Sequence, residues 1–252
     1  MLRSLIFAVT FYLVTALFLL LGIWLLLAPR AWAMQGLKLH GQSCIWLLQA
    51  ICGTRMEVRG AEKLPKGACL VVAKHQSAWD TFALVPLFSD PAFVSKDELK
   101  WIPVYGWFCL KFEHIMVKRK RAAAALKQMV ADAKAKTGQG RQILIFPEGT
   151  RRPPGATPEY KPGYVALYEG IGVPCVPLAL NSGLYWPRRI FRRYPGTIIV
   201  EFLDPIPPGV ARAEFRRRVE TAIETASNRL IAEAAAQPNP PPGPGALPGA
   251  AA

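Results

Sequence analysis

From Ser4 to Pro29 the chain carries no charged residue, and Leu5–Leu27 is almost continuously apolar. About 25 helical residues rise roughly 37 Å, more than the ~30 Å hydrocarbon core of a bilayer. Backbone groups in lipid need partners within their own segment, so this stretch is a helix wherever it meets a membrane. Arg3 ahead of it and Ala31-Trp32-Ala33 behind it imitate a secretory signal. Apolar cores of signals run only about 7–15 residues, so the segment reads as an anchor. Arg30, Lys38 and Arg55 follow it, whereas only Arg3 and the terminal amine precede it. That bias directs the C-terminal part to the cytoplasmic side. A second apolar stretch, Ile45–Ile51, contains Gln49 and follows Gln42 and Ser43, which suits an interfacial or re-entrant helix better than a second span, with packing on the domain as the alternative. Trp24, Trp32 and Trp46 fit the headgroup region, which accommodates both an apolar ring and a polar N–H.

Charge narrows the partners. Thirty-one Lys and Arg against 17 Asp and Glu leave a net charge of +14, which calls for an anionic partner: a phospholipid surface, a phosphorylated substrate or nucleic acid. No RNA- or DNA-binding motif is visible, and nucleic acid would leave the anchor unexplained, so it is not an expected partner. The five cysteines, Cys44, Cys52, Cys69, Cys109 and Cys175, are scattered and include no CxxC pair, which argues against a disulfide framework and a zinc knuckle. Three histidines in the whole chain make a multi-histidine metal site hard to build, and no metal is expected.

Beyond the anchor, strands and helices alternate. Strands are expected at Thr54–Arg59, Ala68–Ala73, Ala92–Ser95, Ile115–Val117, Arg141–Phe146, Cys175–Leu180 and Thr197–Phe202, and helices at Ser77–Phe88, Arg121–Lys136 and Ala213–Ala236. This alternation predicts an α/β fold, a largely parallel sheet flanked by helices, behind an N-terminal two-helix membrane anchor. The expected organisation is anchor 1–53, α/β domain 54–236 and a disordered Pro/Gly/Ala tail 237–252.

Two short motifs carry chemistry. His75-Gln76-Ser77-Ala78-Trp79-Asp80 follows the Ala68–Ala73 strand directly. An imidazole takes a proton near neutral pH, and a carboxylate folded back on it fixes its tautomer. A substrate hydroxyl held against His75 then becomes a nucleophile. Phe146-Pro147-Glu148-Gly149-Thr150-Arg151 ends the Arg141–Phe146 strand. Both motifs lie beyond carboxyl ends of strands, where open α/β sheets bind ligands. Glu148 and Arg151 offer an acceptor and a fork of donors suited to a polyol phosphate, and Gly149 permits close backbone approach.

Together these motifs resemble the glycerolipid acyltransferases typified by 1-acyl-sn-glycerol-3-phosphate (lysophosphatidate) acyltransferase. HQSAWD resembles the family's H-x-x-x-x-D block, implying His75 as catalytic base and Asp80 as its supporting carboxylate. FPEGTR resembles the third block, implying that Glu148, Gly149, Thr150 and Arg151 bind the acceptor. Lys96-x-Glu98-Leu99, Ile102-Pro103, Gly106 and the closing Arg119 are similar to the second block, whose arginine contacts the acceptor phosphate, so Lys96 and Arg119 join the substrate-binding set. Val173–Pro177 is similar to the fourth block, near the acyl chain. The resemblance covers roughly residues 54–207. It implies transfer of a fatty acyl group from acyl-CoA or acyl carrier protein to the sn-2 hydroxyl of lysophosphatidic acid at the inner, cytoplasmic membrane, on an anionic bilayer and without a cofactor. Glycerol 3-phosphate, another lysophospholipid or an aminolipid are alternative acceptors, and a non-catalytic lipid-binding relative is a further alternative.

Two positions depart from the pattern Gly-x-Ile-x-Ile-Asp-Arg: Glu113 stands for the usual Gly and Lys118 for the usual Asp. A more crowded and more basic phosphate side is expected. His114 is expected to be structural or solvent-facing, and His40 interfacial. The densest positive clusters are Lys118–Arg121 and the arginines of 188–193. The second is interleaved with Tyr185, Trp186, Phe191 and Tyr194, which suits an anionic bilayer surface.

Overall fold

The computed structural model describes residues 1–118 and 122–243. Seven strands form one sheet in the order β1-β7-β6-β2-β5-β3-β4. They are β1 (Thr54–Arg59), β2 (Cys69–Ala73), β3 (Pro91–Lys96), β4 (Ile115–Val117), β5 (Gln142–Ile145), β6 (Cys175–Leu180) and β7 (Gly196–Phe202). Every pairing is parallel except β6 with β7, so the largely parallel α/β sheet read from the sequence is what forms. The centre, β6-β2-β5, is buried on both faces, which is why these strands read as short unbroken apolar runs.

The alternation of side chains along β2 divides the core in two. Leu70 and Val72 face one side, where they pack with α5 (Ala122–Thr137), α6 (Gly163–Ile171) and α8 (Arg212–Ala235) through residues such as Met129, Leu167 and Phe215. Cys69, Val71 and Ala73 face the other, where they join Met34, Cys44 and Leu48 of α2 (Arg30–Cys52). The N-terminal helices therefore supply one layer of the sandwich. Gly41 allows this packing: a Cβ there would lie 2.6 Å from the Phe82 carbonyl oxygen, so only glycine lets α2 approach α3 (Asp80–Ala83).

Helix α1 (Leu2–Leu21) folds back along α2 as a hairpin. The apolar run does not stay helical to Leu27. The α-helix ends at Gly22, and a 3-10 turn over Ile23–Leu26 leads to Pro29, whose fixed φ starts α2. Twenty residues rise about 30 Å. Among the described residues one helix, α1, is long and apolar enough to cross a membrane, and only its Ser4 and Phe7 are buried. It touches the domain through Phe7 and Phe11, which pack against Trp186, and Phe11 also meets Phe82. His40 lies between the two helices rather than at their outer face, its Nε2 3.1 Å from Thr15 Oγ1 and 3.4 Å from Cys44 Sγ.

Three local expectations change. Ser77–Phe88 is not one helix: residues 76–79 wrap the Asp80 carboxylate, only Asp80–Ala83 is α-helical, and Pro86 brings in a 3-10 turn at Val85–Leu87. Helix α6, bounded by Pro162 and the left-handed Gly172, was not anticipated, although Tyr164, Val165, Tyr168 and Ile171 give it a helical apolar face. Glu113 does not crowd the phosphate side. It sits before β4, at the amino edge of the sheet, with its carboxylate 3.0 Å from Arg141 and 3.4 Å from Lys136. Its φ of +54° explains why glycine suits this position.

Candidate active site

Strand β2 ends at Ala73, in the middle of the sheet, and the next seven residues build the site. Asp80 is fully buried. Its Oδ2 accepts hydrogen bonds from the backbone N–H groups of Gln76 (2.8 Å) and Ser77 (2.9 Å) and lies 2.9 Å from His75 Nδ1. Its Oδ1 accepts a 2.5 Å bond from Ser182 Oγ, at the end of neighbouring β6. A carboxylate only accepts, so Nδ1 carries a hydrogen and donates a hydrogen bond to Asp80. Nε2 is left as the free acceptor of the ring. The imidazole is stacked on Phe146, with centroids 4.0 Å apart, and its side chain is 12% exposed. A held, oriented imidazole that still reaches solvent can accept a proton from a bound hydroxyl.

The second motif arrives from β5, the other neighbour of β2. Gly149 adopts φ +64°, a left-handed turn that reverses the chain so that the Arg152 N–H donates to the His75 carbonyl at 2.8 Å. Glu148 points inward. It is buried, with Oε1 2.9 Å from Lys74 Nζ and Oε2 accepting the His75 N–H at 3.2 Å. Lys74 also reaches Glu224 Oε1 at 2.7 Å, and Tyr160 donates to the same oxygen at 2.8 Å. Burial pushes Glu148 above the ordinary carboxylate range, while Lys74 and the His75 N–H act in the opposite direction. Glu148 thus braces the histidine loop from beneath, a position that the motif alone did not convey.

Arg151 and Thr150 are half-buried on the same turn. The Arg151 carbonyl accepts a 2.9 Å bond from Arg188 Nη1. Arg188 is held below the usual guanidinium range by burial and by the charges of Arg189, Arg151 and Arg152, so four arginines gather around this turn, which the Arg152 N–H ties to the histidine loop. Of the 188–193 cluster, Arg193 is engaged internally: its guanidinium lies 4.4 Å from the Trp186 ring centre, and its N–H donates to Ser4 Oγ at 2.9 Å. Lys96 is exposed at the carboxyl end of β3, two strands from β2. Arg119, with the rest of Lys118–Arg121 beyond Lys118, lies outside the described residues, as do tail residues 244–252.

Other reactive groups stand apart. All five cysteines are free and buried, and burial raises the thiols of Cys69 to about 12 and Cys109 to about 11, which removes them as nucleophiles. His114 is structural: Nδ1 accepts the Phe93 N–H at 3.3 Å, and burial, with Arg141 and Lys136 nearby, lowers its pKa to about 3. Ser182 and Lys74 are the members of the site that sequence reasoning missed. Lys74 had a signal, a cation inside a buried apolar strand end. Ser182, 102 residues from Asp80, had none.

A largely parallel α/β sandwich with a long apolar N-terminal helix and a histidine–carboxylate pair at its carboxyl edge is the class these features define. The Acyltransferase family model matches residues 55–181, half of the chain, and the chain belongs to that family. A 1-acyl-sn-glycerol-3-phosphate acyltransferase of Pseudomonas aeruginosa is 40% identical over 156 residues, covering 62% of this chain and 61% of that protein. One of Limnanthes alba is 32% identical, covering 66% and 58%. The chain thus spans about three fifths of the length of these curated relatives. The crystal structure of the 1-acyl-sn-glycerophosphate acyltransferase of Thermotoga maritima superimposes with a TM-score of 0.78 over 92% of this chain and 97% of that one, at 24% identity, and shows the same fold.

Proposed function

We propose that the chain is a 1-acyl-sn-glycerol-3-phosphate O-acyltransferase, converting lysophosphatidic acid to phosphatidic acid with an acyl thioester as donor. The observation that carries this reading is the Asp80–His75 pair, 2.9 Å apart, with Nε2 on the ring edge away from the carboxylate and the arginine-bearing turn hydrogen-bonded to the His75 carbonyl. In the reaction, His75 Nε2 takes the proton of the sn-2 hydroxyl as the oxygen attacks the thioester carbonyl. The tetrahedral intermediate then collapses, the C–S bond breaks, and the thiolate of coenzyme A or acyl carrier protein leaves and takes the proton back from the His75 imidazolium, which restores the neutral base. Asp80 stays ionised and stabilises the imidazolium. Arg151, Arg119 and Lys96 neutralise the acceptor phosphate, Thr150 and Gly149 line the turn beside it, and Glu148 positions His75 and Lys74. No step needs a cysteine or a cofactor.

In this reading residues 1–53 anchor the protein to the inner, cytoplasmic membrane, while 54–236 carry the chemistry on its cytoplasmic, anionic surface and 237–252 form a tail without a catalytic role. The exposed, apolar α1 and the aromatic-flanked arginines at 189 and 192 support that orientation. The test is acceptor profiling: purified protein in detergent with labelled acyl-CoA and, in parallel, lysophosphatidic acid, glycerol 3-phosphate, another lysophospholipid and an aminolipid. Phosphatidic acid as the main product supports the assignment. Preference for another acceptor redirects it, and no transfer to any of them refutes it.

A further inference from the structure

The helical hairpin does not account for all of the exposed apolar surface. Between β3 and β4 the chain passes through a 3-10 turn, Asp97–Trp101, and then α4 (Tyr105–Lys111). Trp101 is 77% exposed, Trp107 51% and Leu110 54%, and Ile102 and Tyr105 are exposed beside them. The other side of α4 is buried through Gly106, Phe108 and Cys109, followed by Phe112. A helix that is apolar all round is stable where both sides meet apolar matter.

One side is met within the fold, at the hairpin. The Phe108 ring comes within 3.7 Å of where a Cβ on Gly22 would stand, and Lys111 Nζ donates to the Ala28 carbonyl at 2.5 Å. No charged residue lies between Lys100 and Lys111, and Lys100 is turned back onto Asp97 at 2.7 Å. The hairpin turn that α4 packs against exposes Ile23, Trp24, Leu27 and Trp32, so the two apolar surfaces adjoin.

We propose that the segment from Trp101 to Leu110 is a second membrane-inserting element, which enters the same leaflet as the hairpin turn and sets Trp101, Ile102, Trp107 and Leu110 against lipid acyl chains. The proposal rests on the membrane reading of the hairpin given above. Two features favour lipid over a protein partner. The surface continues that of the hairpin, and two exposed tryptophans offer the amphipathic rings that membrane interfaces select. The site is tied to this element by packing: the rings of Phe108, Phe112, His114, Phe93, Phe146 and His75 follow one another with centroids no more than 6.3 Å apart.

The test is tryptophan quenching in the full chain, bound to phosphatidylethanolamine/phosphatidylglycerol vesicles with brominated acyl chains. W101F/W107F and W24F/W32F keep the aromatic bulk and report, by difference from wild type, the emission of each pair. The proposal predicts that brominated lipid removes most of the emission of both pairs. If the Trp24/Trp32 emission is quenched and the Trp101/Trp107 emission is not, the proposal fails and the hairpin reading stands. If neither is quenched, both fail. A Trp101/Trp107 emission untouched by brominated lipid but blue-shifting with protein concentration would assign the face to a second copy of the chain, and also overturns the proposal.

Discussion

Replacing Asp80 with Asn separates the charge of the carboxylate from its geometry. Two backbone N–H groups and His75 Nδ1 converge on Oδ2, at 2.8, 2.9 and 2.9 Å, so the single oxygen of Asn takes that place. The amide NH2 then faces Ser182 Oγ, whose hydroxyl rotates to accept it. Each hydrogen bond has a replacement, and Nδ1 still carries its proton, so the loop keeps its form. What disappears is the negative charge beside the imidazolium. At ~4 Å between charge centres and an effective dielectric of ~20, that attraction is about 4 kcal/mol. The chemical step should therefore slow by about 10³. Steady-state kinetics of D80N in detergent, alongside thermal unfolding, should give this fall in kcat, with the KM for lysophosphatidic acid and the Tm close to wild type. A kcat within about ten-fold of wild type would refute the argument that the carboxylate charge stabilises the transition state.

Three further outcomes follow from the same structure. Arg151→Gln should raise the KM for the acceptor by about 10–100-fold and leave kcat nearly unchanged, because the phosphate charge does not alter during transfer; equal losses in both would contradict this. Ser182→Ala removes a hydrogen bond to a buried carboxylate and should lower stability by about 1.5–3 kcal/mol in urea unfolding, so an unchanged midpoint would count against the bond. Burial raises the Asp90 carboxyl, but the Arg30 hydrogen bond and the charges of Arg141, Arg30 and Lys38 outweigh it, leaving Asp90 below the ordinary carboxylate range. A depressed carboxyl stabilises the fold above its unfolded pKa and loses that contribution as pH falls through the folded value. Asp90→Ala should therefore cost about 1–2 kcal/mol at neutral pH and progressively less below the ordinary value of 3.8; a cost independent of pH would refute the pairing.

Much of the fold was legible because its signals are local. Apolar runs such as Cys69–Ala73 and Gln142–Ile145 are buried on both faces and announce central strands directly. The His75–Asp80 pair was legible for the same reason: five residues around one turn are enough to bring the two together. Glu148 was found but not its direction, since a motif gives residue types and not which way a carboxylate points. Ser182 was illegible because its contact depends on β6 lying beside β2, a fact of sheet order. The Ser77–Phe88 helix failed because the Asp80 carboxylate gathers the Gln76 and Ser77 N–H groups into a loop at one end and Pro86 turns the other end into a 3-10 turn. That the second helix packs on the domain was left open beside an interfacial helix, because a helix apolar on both sides fits either until the sheet is placed against it.

The measurement that bears most directly on the central claim is the turnover of His75→Ala with lysophosphatidic acid and acyl-CoA, in detergent, on protein whose unfolding matches wild type. A positioned general base predicts a fall in kcat of about 10²–10⁴ with acceptor binding retained. Turnover close to that of the parent protein would contradict it.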